Sequence, residues 1–98
     1  MHRERILDRL RRNERALRER GILHAALFGS RARGDSRLDS DTDILLDMDP
    51  QARLSVYDYV GLKAFVAGLF DGPVDVVNRE SLEPELRAEL AANAIYAF

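Results

Sequence analysis

The 98-residue chain contains no cysteine. Disulfides, thiolate zinc sites and cysteine nucleophiles are therefore excluded. Its two histidines, His2 and His24, are too few for a multi-histidine metal centre. A basic excess is missing as well. Fifteen Lys+Arg against 17 Asp+Glu leave a formal charge of −2, which argues against a general nucleic-acid coat. No apolar run approaches the roughly 18–20 residues of a membrane span. The densely charged N-terminus does not read as a signal peptide. These absences set an expectation of a cytoplasmic protein with no membrane association. At this length the chain reads as one domain over residues 1–98.

What is present is an ordinary globular composition, 46% hydrophobic and 33% charged. A core of this size is small, and a partner or ligand is a common source of extra stability. The charge is unevenly spread, because eight of the 15 basic residues lie between Arg3 and Arg20. Residues 3–20 read as one helix, with Ile6, Leu7, Leu10 and Leu17 on a single stripe and Gly21 as its stop. Ile22 to Phe28 is apolar apart from His24 and reads as a buried strand. Ser30 is a good N-cap for a short helix over 30–34, and residues 35–40 read as a polar loop. A second strand covers Thr42 to Met48.

Residues 55–70 predict a second long helix with a broad apolar face that includes Val56, Tyr59, Val60, Phe65 and Val66. Asp71-Gly72-Pro73 breaks it. Val74 to Asn78 forms a third, β-branched strand. Residues 81–98 predict a last helix, with Pro84 in its first turn and Leu82, Leu86, Leu90 and Ile95 facing inward. The expected fold class is α/β, a small mixed three-stranded sheet covered by helices.

The segment Gly29-Ser30-Arg31-Ala32-Arg33-Gly34 follows a buried strand and opens a helix. Glycine lets a phosphate approach the backbone, and amides at a helix start point at an anion. Arg31 and Arg33 add positive charge suited to a polyphosphate. There is no Gly-Lys-Ser/Thr, so this is not a Walker A loop. Taken alone, such a turn is more often only a turn. Asp41 and Asp43 are two residues apart at the start of a strand, so they share a face about 6.5–7 Å apart. Carboxylates so placed suit Mg²⁺, which takes one or two carboxylates plus substrate phosphates. A solvated acidic loop end is the commoner meaning of an isolated Asp-x-Asp.

Asp75 adds weight, because aspartate is depleted in strands and rarely buried unpaired. It reads as a ligand or base, or else as a strand-end residue facing water. If the first two strands are antiparallel, Asp41 and Asp43 meet the Gly29-Ser30 turn. If the second and third are parallel, joined by a right-handed crossover through the 55–70 helix, Asp75 joins them. That layout fits two-metal nucleotidyl transfer.

The string Gly29-Ser30-Arg31-Ala32-Arg33-Gly34, followed by Ser40-Asp41-Thr42-Asp43-Ile44-Leu45 and later by Val74-Asp75-Val76-Val77, resembles the minimal nucleotidyltransferase (MNT-domain) family. That family belongs to the DNA polymerase β-like superfamily. The resemblance runs over nearly the whole chain. It implies the antitoxin half of a HEPN/MNT toxin–antitoxin pair, which transfers AMP from ATP to a tyrosine of a HEPN ribonuclease toxin. It also implies that Asp41 and Asp43 bind Mg²⁺, and that Asp75 completes the metal site and helps activate the tyrosine hydroxyl. Gly29 and Ser30 would hold the triphosphate, with Arg33 in support. A non-catalytic antitoxin that acts by covering its toxin stays open as an alternative. So does a small-molecule nucleotidyltransferase.

The remaining features have plainer readings. No aromatic-rich basic groove suggests a nucleic-acid track, so no direct nucleic-acid binding is expected and a protein acceptor fits better. The arginine-rich first helix reads as a solvated face with internal ion pairs. His24 reads as a partly buried structural residue, and Tyr57 and Tyr59 as helix packing. Asp47 shares the face of Asp43 but lies about 13 Å along the strand, outside the site. Tyr96 and Phe98 either face a partner or close the core.

Overall fold

The computed structural model describes residues 3–29 and 42–98. The short helix expected over 30–34 and the loop over 35–40 lie outside the described residues. In chain order the elements are α1 (Arg3–Arg12), α2 (Glu14–Glu19), β1 (Ile22–Phe28), β2 (Thr42–Met48) and α3 (Val56–Ala67). They are followed by β3 (Val74–Asn78), a 3₁₀ turn (Arg79–Ser81), α4 (Pro84–Asn93) and β4 (Ile95–Tyr96). The sheet order is β3-β2-β1-β4. β1 is antiparallel to β2 and to β4, while β2 and β3 run parallel. The mixed α/β class stands, and the three strands read from the sequence keep their boundaries.

The predicted three-stranded sheet gains a fourth strand. Residues 81–98 are not one helix, because Ala94 turns extended (φ −81°, ψ 149°) after Asn93. Ile95 and Tyr96 then pair with Leu27 and Ala26, and the Ala97 N–H donates to the Ala25 carbonyl at 2.8 Å. This pairing satisfies backbone groups of β1 that its free edge would otherwise leave open. The 3–20 helix is likewise interrupted. At Asn13 the backbone N–H turns to the Leu10 carbonyl, and the side-chain amide donates to the Arg9 carbonyl at 2.8 Å. Asparagine competes with the helix ladder through such local bonds.

One face of the sheet holds the core. Ile6, Leu7 and Leu10 of α1 and Leu17 of α2 pack with Ala25, Leu27, Ile44, Leu46 and Val76 of the strands and Leu62 and Val66 of α3. An irregularity between Ile22 and His24 explains how Ile22 and Ala25, three residues apart, both point inward. Gly21 closes α2 with φ +94°, and a Cβ there would sit 2.8 Å from the Ala52 Cβ. Arginines tie the layers together. Arg9 donates to the Leu69 carbonyl (2.7 Å) and Arg11 to the Ala97 carbonyl (3.0 Å). Arg12–Asp8, Arg15–Glu19 and Arg18–Glu14 pair along the helices, as expected of a solvated face with internal ion pairs.

Two predicted faces differ from expectation. Val56 and Val60 lie outside the core, 77% and 59% exposed. No residue of α4 is buried, and Leu86 is exposed. Both helices are apolar on more than one side, so periodicity alone does not say which side the sheet takes. His24 is exposed rather than partly buried, with its ring edge-on to Tyr96 at 6.1 Å. Phe98 packs against the core under the Arg18 guanidinium.

Candidate functional site

The core takes alternate residues of β2, Ile44 and Leu46. Alternation therefore turns Asp43, Leu45 and Asp47 to the opposite face of the sheet. Asp43 is the register partner of Phe28 on β1 and of Asp75 on β3. Directly paired residues share a face, so Phe28, Asp43 and Asp75 form one row across three strands. Neighbouring strands lie about 4.8 Å apart, which makes the two aspartates close neighbours. The Thr42 N–H donates to the Pro73 carbonyl at 3.1 Å and locks the two strand starts together. Asp43 is half-buried and Asp75 exposed.

Gly29 follows the last residue of β1 with φ +77°. The Asp43 carboxylate lies against it, in the space that a Cβ at 29 would occupy. Glycine is required here twice over, by the left-handed backbone and by the approaching carboxylate. Gly29, Asp43 and Asp75 are thus brought to one end of one face. Asp41, Ser30 and Arg33 lie outside the described residues. Among the described residues no group of three or more His, Asp or Glu is placed to hold a metal, and the described part of the site supplies two carboxylates.

Phe28 is the neighbour that sequence reasoning passed over. Its position, directly across from Asp43, follows from register and becomes visible only when the strands are aligned. Further along the same face, Asp47 accepts from Arg79 Nη1 at 3.4 Å. That ion pair gives Asp47 a structural partner and keeps it apart from the Asp43–Asp75 row.

Two carboxylates on adjacent strands, in a chain without cysteine, form a hard-oxygen donor set suited to a hard divalent cation. No helix among the described residues is long and apolar enough to cross a membrane.

The family model for the nucleotidyltransferase domain matches residues 4–97. The chain is 31% identical over 94 residues to protein adenylyltransferase MntA of Thermococcus cleftensis, covering 95% of this chain and 93% of that protein. It is also similar to a solved structure provisionally described as a minimal nucleotidyltransferase. That likeness has a TM-score of 0.73 at 32% identity over 97% of this chain and 95% of the other. A crystal structure of a toxin–antitoxin with AMP-PNP shares the fold, with a TM-score of 0.69 at 22% identity over 90% of this chain and 72% of that one.

Proposed function

Since the chain belongs to the nucleotidyltransferase domain family, we propose that it is a Mg²⁺-dependent protein adenylyltransferase antitoxin, which transfers AMP from ATP to a tyrosine of a HEPN ribonuclease toxin and thereby silences it. The observation that carries this reading is the register pairing of Asp43 with Asp75 beside Gly29. The relative from Thermococcus cleftensis is named as a protein adenylyltransferase along nearly its full length, which supports a protein acceptor.

Asp43 and Asp75, with Asp41, are the residues that would hold Mg²⁺. When bound, the ion supplies positive charge where negative charge develops on the α-phosphate and the departing pyrophosphate. Gly29, Ser30 and Arg33 bind the triphosphate and orient it. The tyrosine oxygen attacks the α-phosphorus, forming a new P–O bond. The bond from the α-phosphorus to the α–β bridging oxygen breaks, and pyrophosphate leaves with that electron pair. Asp75, the exposed member of the row, is the residue that would help activate the tyrosine hydroxyl by taking its proton.

The test uses α-labelled ATP, Mg²⁺ and the purified cognate HEPN protein. Label is expected on a tyrosine of that protein and is lost with Asp43→Asn or Asp75→Asn. Neutralisation that survives both substitutions would mean that the chain acts by binding alone. Label appearing on a small molecule with no protein present would mean a small-molecule nucleotidyltransferase.

A further inference from the structure

Helix α3 is apolar around most of its circumference, and Asp58 and Lys63 are its two charged residues. A helix of that kind is normally covered on more than one side. Here Leu62 and Val66 alone are buried. The outward side carries Val56, Tyr57 and Val60 at 77%, 89% and 59% exposure, with Gly61 and Ala64 exposed between them. No charge interrupts this strip. A Cβ at Gly61 would meet nothing within 4 Å, so the chain's own fold has no steric need for glycine in mid-helix, where it weakens the helix. A cleft of about 610 Å³ runs beside the strip, with Arg20, Leu54, Tyr57, Asp58 and Gly61 among its walls.

We propose that this strip is the interface of a symmetric dimer, with a second copy of the chain as its occupant. Acidic and basic side chains alternate around the cleft, with Asp49 and Asp58 on its acidic side and Arg20 on its basic side, so two copies can pair opposite charges. Asp58 stands near the N-terminal end of α3, while the Arg20 guanidinium lies over the Phe65 ring (4.5 Å) near the other end. Two α3 helices crossing antiparallel at Gly61 put position 57 level with position 65, since each lies four residues from the centre, about 6 Å along the axis. Asp58 of one copy then faces the partner's Arg20, and the arrangement repeats across the two-fold. Tyr57 of each copy then lies beside the partner's Phe65 and Arg20, while Gly61, which carries no side chain, lets the two helices approach closely where they cross. Tyrosine and arginine are the side chains that most often anchor interfaces.

A strip one helix long falls well short of the roughly 800 Å² per partner of a standard interface. The dimer is therefore weak. The sheet separates α3 from the face that carries Asp43 and Asp75. Dimerisation consequently leaves both carboxylate faces open and does not depend on the proposed activity.

Sedimentation of the full chain without nucleotide, over about 5–500 μM, tests the proposal. A reversible monomer–dimer equilibrium is expected. Tyr57→Lys and Gly61→Glu should each weaken it at least about tenfold, with circular dichroism and melting temperature close to those of the unaltered chain. Arg20→Asp, which leaves the Ser55–Asp58 cap intact, should weaken it as well by placing like charges across the two-fold. A chain that stays monomeric throughout overturns the proposal. So does a dimer indifferent to both Tyr57→Lys and Gly61→Glu, or a strip whose substitution affects only capture of the purified HEPN partner.

Discussion

The carboxylate of Asp43 rests against the α-carbon of Gly29, so the turn after β1 and the first acidic residue of β2 are fitted to each other. Gly29 thus positions Asp43, whatever it also does for a phosphate. Gly29→Ala would place a methyl group in the carboxylate's space and strain a backbone at φ +77°. The strain alone costs about 1–2 kcal/mol. We expect a matching loss in denaturant stability and a fall in transfer rate of about 100-fold, because a displacement near 1 Å at a reacting centre costs that much. A Gly29→Ala protein with unaltered rate and Mg²⁺ dependence would show that Asp43 does not depend on this fit.

Substitution of Asp75 separates the proposed catalysis from folding. It is exposed and sits beside Asp43 in register, so removing its charge relieves like-charge repulsion and breaks no packing. Without metal, Asp75→Asn should stay within about 0.5 kcal/mol of the unaltered chain. Mg²⁺ should raise the melting temperature of the unaltered protein and lose that effect in the variant, since a ligand stabilises only the state that binds it. Equal Mg²⁺ shifts in both proteins would remove Asp75 from the proposed metal site.

Much of this was legible in the sequence where one physical signal dominates. The three principal strands are short apolar runs between glycine, proline and aspartate breaks, and the parallel pairing of β2 with β3 follows from the helix that must connect them. The row of Asp43 and Asp75 then follows from alternation. What could not be read depends on partners distant in the chain. β4 is two residues long and exists because β1 has a free edge for it. Val56 and Val60 look like core residues by spacing, yet the sheet takes the Leu62–Val66 side of α3 instead. The seat of Asp43 on Gly29 joins residues 14 apart in sequence, and no local pattern announces it.

Asp47 and Arg79 form a mostly buried pair, with side chains 17% and 34% exposed. The pair is imperfect, because Arg79 Nε is buried without a partner. Arg79→Met leaves the Asp47 carboxylate unpaired, and we expect a cost of about 1–3 kcal/mol. Replacing both, as Asp47→Leu with Arg79→Met, removes the unpaired carboxylate and the orphaned Nε together. The double variant should therefore be more stable than Arg79→Met alone in urea unfolding. If it is less stable, the unpaired Asp47 carboxylate is not what destabilises Arg79→Met.

Ser55 and Asp58 form a reciprocal cap on α3. The Ser55 N–H donates to the Asp58 carboxylate at 3.0 Å, and the Asp58 N–H donates to the Ser55 hydroxyl oxygen at 3.1 Å. Hydrogen bonds from the Ser55 backbone, and then from its side chain, hold the Asp58 carboxyl below its usual value. A carboxyl whose folded pKa is depressed stabilises the fold at pH values above its unfolded pKa, about 3.9, and that contribution fades as pH falls through the folded value. The stability gap between the unaltered chain and Asp58→Ala should therefore be constant from about pH 7 to pH 5 and shrink below about pH 4. Unfolding followed by circular dichroism at low protein concentration, where self-association through α3 is negligible, measures this directly. A gap that does not change with pH would mean that the cap works through geometry alone, with no contribution from the carboxylate charge.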